Sequence, residues 1–194
     1  MFKNIEEIEK KYNLIINKII CDEKIVLSIF NSLEIKEEEY DLNDSNILVI
    51  IGLYYLKVKK DNKNAKKYYL MAIEKGKGNA NAMNNLGNLY YREKDYKNAK
   101  KYFLMSIEKG NEFAMNNLGI IYKIEKDNGN AKKYYLMAIE NGSMSAMENI
   151  KRIMSEVELY EKLKEMENKN EIIRDEIKRL SRLKIIKDYE NKFE

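Results

Sequence analysis

The chain has 194 residues, 36 of them basic and 32 acidic, for a net charge of +4, and that length suits one ordinary domain or one elongated array. Histidine, proline and tryptophan are absent and there is one cysteine, which excludes imidazole general bases, Ser-His and Cys-His dyads, histidine or multi-thiolate metal sets and an internal disulfide framework. With no proline and only 8 glycines, helix breakers are few and an all-α chain is expected.

Residues 1–44 carry two amphipathic segments. Phe2, Ile5, Ile8, Tyr12, Ile15, Ile16, Ile19 and Ile20 recur at helical spacing, and an apolar run from Ile25 to Leu33 follows Asp22, a good N-cap. The start of the chain is acidic and periodic, so no signal peptide is expected. Cys21 stands before Asp22 and Glu23, whose charges raise its pKa and suppress the thiolate; an incidental thiol in a reducing, cytoplasmic compartment is the expectation. The stretch from Glu34 to Asp44 is acidic, with Glu37, Glu38, Glu39, Asp41 and Asp44, and reads as a solvated connection.

Residues 45–142 repeat. The apolar stretch from Ile47 to Leu56 falls short of the ~20 residues that span a bilayer and reads as a buried core helix. Asn-Ala-Lys-Lys-Tyr-Tyr-Leu-Met-Ala-Ile-Glu-Lys-Gly at 64–76 recurs with small changes at 98–110 and 130–142, and Ala-Met-Asn-Asn-Leu-Gly-x-x-Tyr occupies 82–90 and 114–122. In the middle copy Met83, Leu86, Gly87 and Tyr90 mark the inner face of a first helix. Asp95 caps a second whose inner face is Ala99, Phe103, Ser106 and Ile107, and Gly110 permits a left-handed end. The third copy, with Leu118, Gly119, Tyr122, Asp127, Ala131, Tyr135, Ala138, Ile139 and Gly142, is displaced by 32 residues. The first, with Gly52, Tyr55, Asp61, Ala65, Tyr69, Ala72 and Gly76, carries one extra residue in its turn. Gly87, Ala99 and Gly119 are small because two helices cross there.

The order Leu-Gly, Tyr, Ala, aromatic, Ala resembles the tetratricopeptide repeat, and the leading Ala of Ala-x-x-x-Leu-Gly with a closing Gly is similar to its Sel1-like relative. The expected fold is an all-α short solenoid of three helix-turn-helix repeats at 45–142, with a partial fourth starting at Ala146 and Met147. Helical caps are expected at 1–44 and 143–194. In the latter, Ile150, Ile153, Met154, Val157, Tyr160, Leu163 and Met166 keep one apolar stripe and Ile173, Ile177 and Leu180 another, so one side covers the last repeat and the charged side faces water. Units that cannot bury their own apolar face stack on copies of themselves and present extended binding surfaces instead of enclosed active sites.

The resemblance implies that partners bind a concave face. The matching positions are Asn81, Asn84, Asn85, Asn88, Tyr91 and Arg92 in the middle unit and Phe113, Asn116, Asn117, Ile120, Lys123 and Ile124 in the next. Asparagine suits an extended peptide because its amide both donates and accepts; the alternative is a local helix-packing role. The first unit offers Val49, Leu53 and Leu56, too apolar to stay wet, so the N-terminal helices are expected to cover them. The basic carboxylate clamp of some tetratricopeptide proteins is not matched, since of Val49, Leu53, Asn85, Phe113 and Asn117 only Asn85 fits it.

A second candidate surface is a basic ladder of Lys66, Lys67, Lys100, Lys101, Lys132 and Lys133, one pair per second helix and about 10 Å apart if the repeats stack. Residues 45–142 hold 18 basic and 9 acidic side chains, residues 1–44 hold 6 and 11, and residues 143–194 hold 12 of each. Such a face suits an acidic protein or a nucleic-acid backbone, or it simply solubilises the convex side. The aromatic pairs Tyr68-Tyr69, Tyr102-Phe103 and Tyr134-Tyr135 interleave with these lysines; their second members are read as core and their first as packing between neighbouring repeats. The functional expectation is a non-catalytic protein-interaction module, an adaptor or scaffold that binds a peptide or helical segment, an acidic one among the options, in a concave repeat groove. No cofactor, metal or membrane is expected, and the chain should be a monomer or weak homodimer. Two alternatives stand beside it: an inhibitor or decoy on the surface of a larger, nucleic-acid-handling protein, and a nucleic-acid-associated protein using the lysine ladder.

Overall fold

The structure is a computed structural model that describes residues 1–16, 19, 21–183 and 186. Among these residues eleven α-helices are joined by short turns and there is no strand. The chain divides into two compact units, Met1–Asn111 and Glu112–Glu194.

The first unit opens with α1 (Ile5–Tyr12) and α2 (Glu23–Asn31), capped by the side chains of Asn4 and Asp22, which accept from the Glu7 and Lys24 N–H groups. The expected continuation of the first helix through Ile15, Ile16 and Ile19 is absent. Asn13 takes φ 50°, a left-handed conformation that asparagine tolerates better than most residues, and α1 stops there. Ile16 and Ile19 still reach the core from irregular chain, 1% and 7% exposed; Ile20 lies outside the described residues. A 3-10 turn, Glu37–Glu39, then leads into α3 (Ser45–Tyr54).

All residues of α3 from Ile47 to Tyr54 are buried, as suits a helix apolar on every side. Val49 and Leu53 join one cluster with Ile8, Ile16, Val26 and Ile29, so the N-terminal segment does cover them. Leu56 behaves otherwise. It packs with Ala65, Tyr69, Leu86 and Leu89, inside the repeats, from the π-helical segment Tyr55–Lys59 that continues α3.

That segment holds the extra residue of the first repeat. Residues Tyr55–Lys59 form a π-helical turn, the usual way a helix absorbs one inserted residue. Beyond it the Asp61 N–H donates to the Tyr55 carbonyl at 2.9 Å, across six residues. In the second and third repeats Asp95 donates to Tyr90 and Asp127 to Tyr122, at 3.0 and 2.9 Å across five. The insertion is thus absorbed before the Asp that starts the next helix, and the downstream register is preserved.

Each second helix then begins the same way. In α4 (Asn62–Lys75), α6 (Tyr96–Glu108) and α8 (Asn128–Glu140) the capping Asp accepts from the backbone N–H of the Asn three residues on, at 3.0, 3.1 and 3.0 Å, and from its side-chain amide at 2.7 Å. Two donors on one carboxylate leave little freedom to the helix start. The first helices are α5 (Ala80–Arg92) and α7 (Glu112–Ile124). Within the first unit α3 packs on α4, α4 on α5 and α5 on α6; within the second, α7 packs on α8.

The helix crossings run through glycine. A Cβ on Gly52, Gly87 or Gly119 would stand 2.5, 2.7 or 2.6 Å from the ring of Tyr69, Phe103 or Tyr135, and those rings are fully buried. Gly110 and Gly142 serve a different need, with φ of 82° and 86° and open space around them. Gly76 departs from that pattern. Its φ is −84° and the left-handed residues are Lys77 and Gly78; a Cβ there would strike Ser45, so space keeps position 76 a glycine.

The second unit continues with α9 (Met144–Ile150), α10 (Glu156–Lys164) and α11 (Glu171–Leu180). The stripe expected to run from Ile150 to Met166 is broken at Ser155, whose hydroxyl caps α10 by accepting from the Glu158 N–H, because serine favours that cap over a helix interior. Helix α9 packs on α7 and α8, and α11 packs on α8. Asn170 ties the last contact. Its oxygen caps α11 by accepting from Ile173, while its amide donates to the Ile139 and Glu140 carbonyls at the end of α8, at 2.8 and 3.1 Å.

Candidate functional site

On α5 the core side is Ala82, Met83, Leu86, Gly87 and Leu89, all buried. Asn81, Asn85, Asn88 and Tyr91 are half-buried and Arg92 is exposed, so these candidates lie together on the face turned from that core. Asn84 does not. It is 9% exposed and counts among the buried residues, and it therefore belongs to the helix interior more than to an open surface. Asn81 is committed as well, accepting from the Asn111 amide at 3.1 Å, and Tyr91 leans on Tyr96 at 5.9 Å.

In the second unit Phe113, Asn116, Asn117, Ile120 and Lys123 are half-buried on α7, and Ile124 is 45% exposed. Asn116 accepts from the Asn149 amide at 3.0 Å. The helix-packing alternative therefore accounts for part of the asparagine pattern. An amide that joins two helices has one fewer group to offer a partner.

The lysine pairs are individually placed. Lys66 meets Glu93 at 3.1 Å and lies 4.1 Å above the Tyr90 ring, Lys67 meets Glu37 at 2.9 Å, and Lys132 meets Glu158 at 2.7 Å. Lys101 and Lys133 are exposed and sit over the rings of Tyr102 and Tyr134, at 5.5 and 5.4 Å. Lys100 is half-buried.

The first members of the aromatic pairs stack inside their own repeats: Tyr68 on Tyr55, Tyr102 on Tyr90 and Tyr134 on Tyr122, with centroids 5.3, 5.5 and 5.5 Å apart and planes within 8°. Tyr102 also packs against the cluster of Leu56, Ala65, Tyr69, Leu86 and Leu89. Tyrosines at matching heights on the two helices of a hairpin face each other once the core aromatic one residue on has been turned inward. The second members, Tyr69, Phe103 and Tyr135, are the core.

Glu37, expected in a solvated connection, is instead held by two side chains of α4. Its carboxylate accepts from both the Tyr68 hydroxyl and the Lys67 ammonium, which together hold its pKa below the ordinary value, the Tyr68 bond foremost. The signal that could have revealed it is the charge opposition between the acidic residues 1–44 and the basic repeats. A second cluster that sequence reasoning missed lies in the C-terminal unit, where the buried Glu176 meets Arg179 at 2.7 Å and Lys151 at 3.2 Å. Lys151 and Arg179, with Met154, Glu156 and Leu159, line a shallow concavity of about 370 Å³.

Cys21 has a pKa pushed up to about 11, chiefly by burial and next by the Asp44 carboxylate; the Asp22 charge adds less than the sequence suggested. A thiol so held is a poor nucleophile. Among the described residues no cluster of histidine, cysteine or acidic side chains could hold a metal ion, and no helix is long and apolar enough to cross a membrane.

Comparison with known proteins places residues 80–108 and 114–141 on the tetratricopeptide repeat and residues 51–77 on the Sel1 repeat. No curated protein matches the chain. Among solved structures it is similar to BtubC (BKLC) from P. vanneervenii, with 17% identity over 86% of this chain and 72% of that one and a TM-score of 0.45.

Proposed function

We propose that this chain, which carries tetratricopeptide and Sel1 repeats in tandem, works as a non-catalytic adaptor or scaffold that holds a peptide or helical segment of another protein. Repeats of these kinds are generally protein-protein interaction modules. The carrying observation is the α5 face, where Asn85, Asn88, Tyr91 and Arg92 stay accessible on a helix whose opposite side is fixed in a close-packed core. A face pre-ordered in this way loses little entropy on binding, and the Asn85 amide can orient a partner's backbone. Separately, on α7 of the second unit, Phe113, Asn117, Ile120 and Lys123 are proposed partner contacts. A reducing cytoplasm is the proposed setting.

The test compares cross-linked partners of the native protein with those of an Asn88→Ala, Tyr91→Ala, Arg92→Ala variant and of a Lys66→Glu, Lys100→Glu, Lys132→Glu variant. The first should lose its partner with circular dichroism unchanged. The second should associate more slowly in a salt-sensitive way, since these half-buried lysines of α4, α6 and α8 lie off the α5 face and act on the encounter at long range. Loss of binding by the lysine variant alone would replace the groove reading with recognition of a polyanion.

A further inference from the structure

The first repeat already holds a ligand of its own making. Tyr68 stacks on Tyr55, Lys67 lies 4.9 Å over the Tyr68 ring, and the Glu37 carboxylate takes a hydrogen bond from both. The segment bearing Glu37 also sends Ile35 into the core beneath it, 8% exposed, and with this cover in place Tyr68 is only 2% exposed. Tyrosine hydroxyl and ammonium converge on one carboxylate because both sit on the same helical turn.

The same constellation recurs twice without a carboxylate from the described residues. Lys101 lies over Tyr102, which stacks on Tyr90, and Lys133 lies over Tyr134, which stacks on Tyr122; ring separations and tilts match the first repeat closely. Among the described residues no carboxylate meets Lys101, Lys133 or the hydroxyls of Tyr102 and Tyr134. Both lysines are exposed and both tyrosines half-exposed, unlike Tyr68. We propose that the Lys101-Tyr102 pair, and separately the Lys133-Tyr134 pair, are seats for glutamate or aspartate side chains of an acidic protein segment, bound as Glu37 is bound in the first repeat.

Charge complementarity favours that occupant, since residues 45–142 carry 18 basic against 9 acidic side chains. A nucleic-acid phosphate would also meet the lysine. The tyrosines, however, are stacked on each other and present edge and hydroxyl, not an open face for a base. The Lys67 and Glu37 side chains are 50% and 44% exposed, so a seat of this kind is weak and salt-sensitive by itself and works through several acidic residues in one segment. The proposal rests on the protein-interaction reading but uses the second helices, not the α5 face.

The probe is a peptide with the sequence of residues 33–44, added at up to millimolar concentration to the full chain labelled with ¹³C at its tyrosine rings. Tyr102 and Tyr134 signals, assigned with Tyr102→Phe and Tyr134→Phe, should shift saturably. The shift should vanish with a peptide in which every Glu and Asp is replaced by Gln or Asn, and Lys101→Glu should weaken the Tyr102 response about fivefold or more. An Asn88→Ala, Tyr91→Ala, Arg92→Ala variant should respond as the native chain does, which separates this proposal from the groove reading. Absence of any shift, an equal shift with the Gln/Asn peptide, or indifference to Lys101→Glu overturns it. So does a response to oligothymidylate without one to the peptide, or a shift that depends on the protein's own concentration, which would give the seat to a second copy of the chain.

Discussion

The ring of Phe103 occupies the space where Gly87 would carry a side chain, 2.7 Å from the position of a Cβ. Phe103 is fully buried, and a close-packed interior leaves its ring little room to move aside. Gly87→Ala gains about 1 kcal/mol of helix propensity and meets an overpacking cost of about 1–3 kcal/mol. A net loss of about 1 kcal/mol is therefore expected, and Gly87→Leu should lose more. Urea denaturation of the two variants measures this; a stabilised Gly87→Ala protein would show that the helices separate freely.

Tyr69 presents the opposite case. It occupies the position of Phe103 in the first repeat, yet its hydroxyl is buried with no hydrogen-bond partner, and burial pushes its pKa up. An unsatisfied buried hydroxyl costs about 1–3 kcal/mol. Tyr69→Phe should thus be neutral or stabilise by about 1 kcal/mol, read as a higher denaturation midpoint at unchanged slope. A clear loss of stability would reveal a partner for that hydroxyl.

Lys94 closes α5 with φ 61°, while its N–H donates to Tyr91 and the next N–H, of Asp95, donates to Tyr90. Such a cap favours glycine. Relief of the left-handed strain is worth about 1–2 kcal/mol, and the added freedom of the unfolded chain takes back about 0.4–1 kcal/mol. Lys94→Gly should therefore stabilise by about 0.5–1 kcal/mol in thermal or urea unfolding. The same reasoning covers Lys126, with φ 62°.

The capping aspartates fix an acid dependence. Asp61 has its pKa lowered from 3.8, first by the Asn64 backbone N–H and then by the Asn64 amide; Asp95 is lowered first by the Asn98 amide and then by the Asn98 N–H. A carboxylate whose folded pKa lies below its unfolded value contributes stability that is fully present above the unfolded pKa and disappears as pH falls through the folded one. Melting temperature should accordingly drop below about pH 4, and an Asp61→Ala, Asp95→Ala variant should start lower at pH 7 and fall less steeply. Parallel acid slopes for the two proteins would contradict the assignment.

Asn170 joins the start of α11 to the end of α8 through both ends of its amide. Asn170→Ala removes an N-cap and two side-chain bonds to carbonyls at the end of α8, a loss of about 1–2 kcal/mol. Hydrogen exchange should show the loss concentrated in α11 and the last turn of α8. Exchange rates like those of the native chain would mean that α11 is held by its apolar stripe alone.

Much of this architecture was legible in the chain itself, since residues three and four apart share a helix face whatever lies around them. The spacing of Gly87 from Phe103 and of Gly119 from Tyr135, the capping roles of Asp22, Asp95 and Asp127, and the extra residue of the first repeat all follow from local pattern. The tertiary structure decided what depends on residues distant in sequence. It tied Asn81 to Asn111 and Asn116 to Asn149 of α9, turned Leu56 into the repeat core, ended α1 at Asn13, and laid Glu37 on Lys67 and Tyr68. Periodicity says which way a side chain points from its own helix and is silent on what arrives from elsewhere to meet it. For that reason the repeats could be counted from the sequence, whereas the occupied carboxylate seat of the first, and its open counterparts at Lys101 and Lys133, could not.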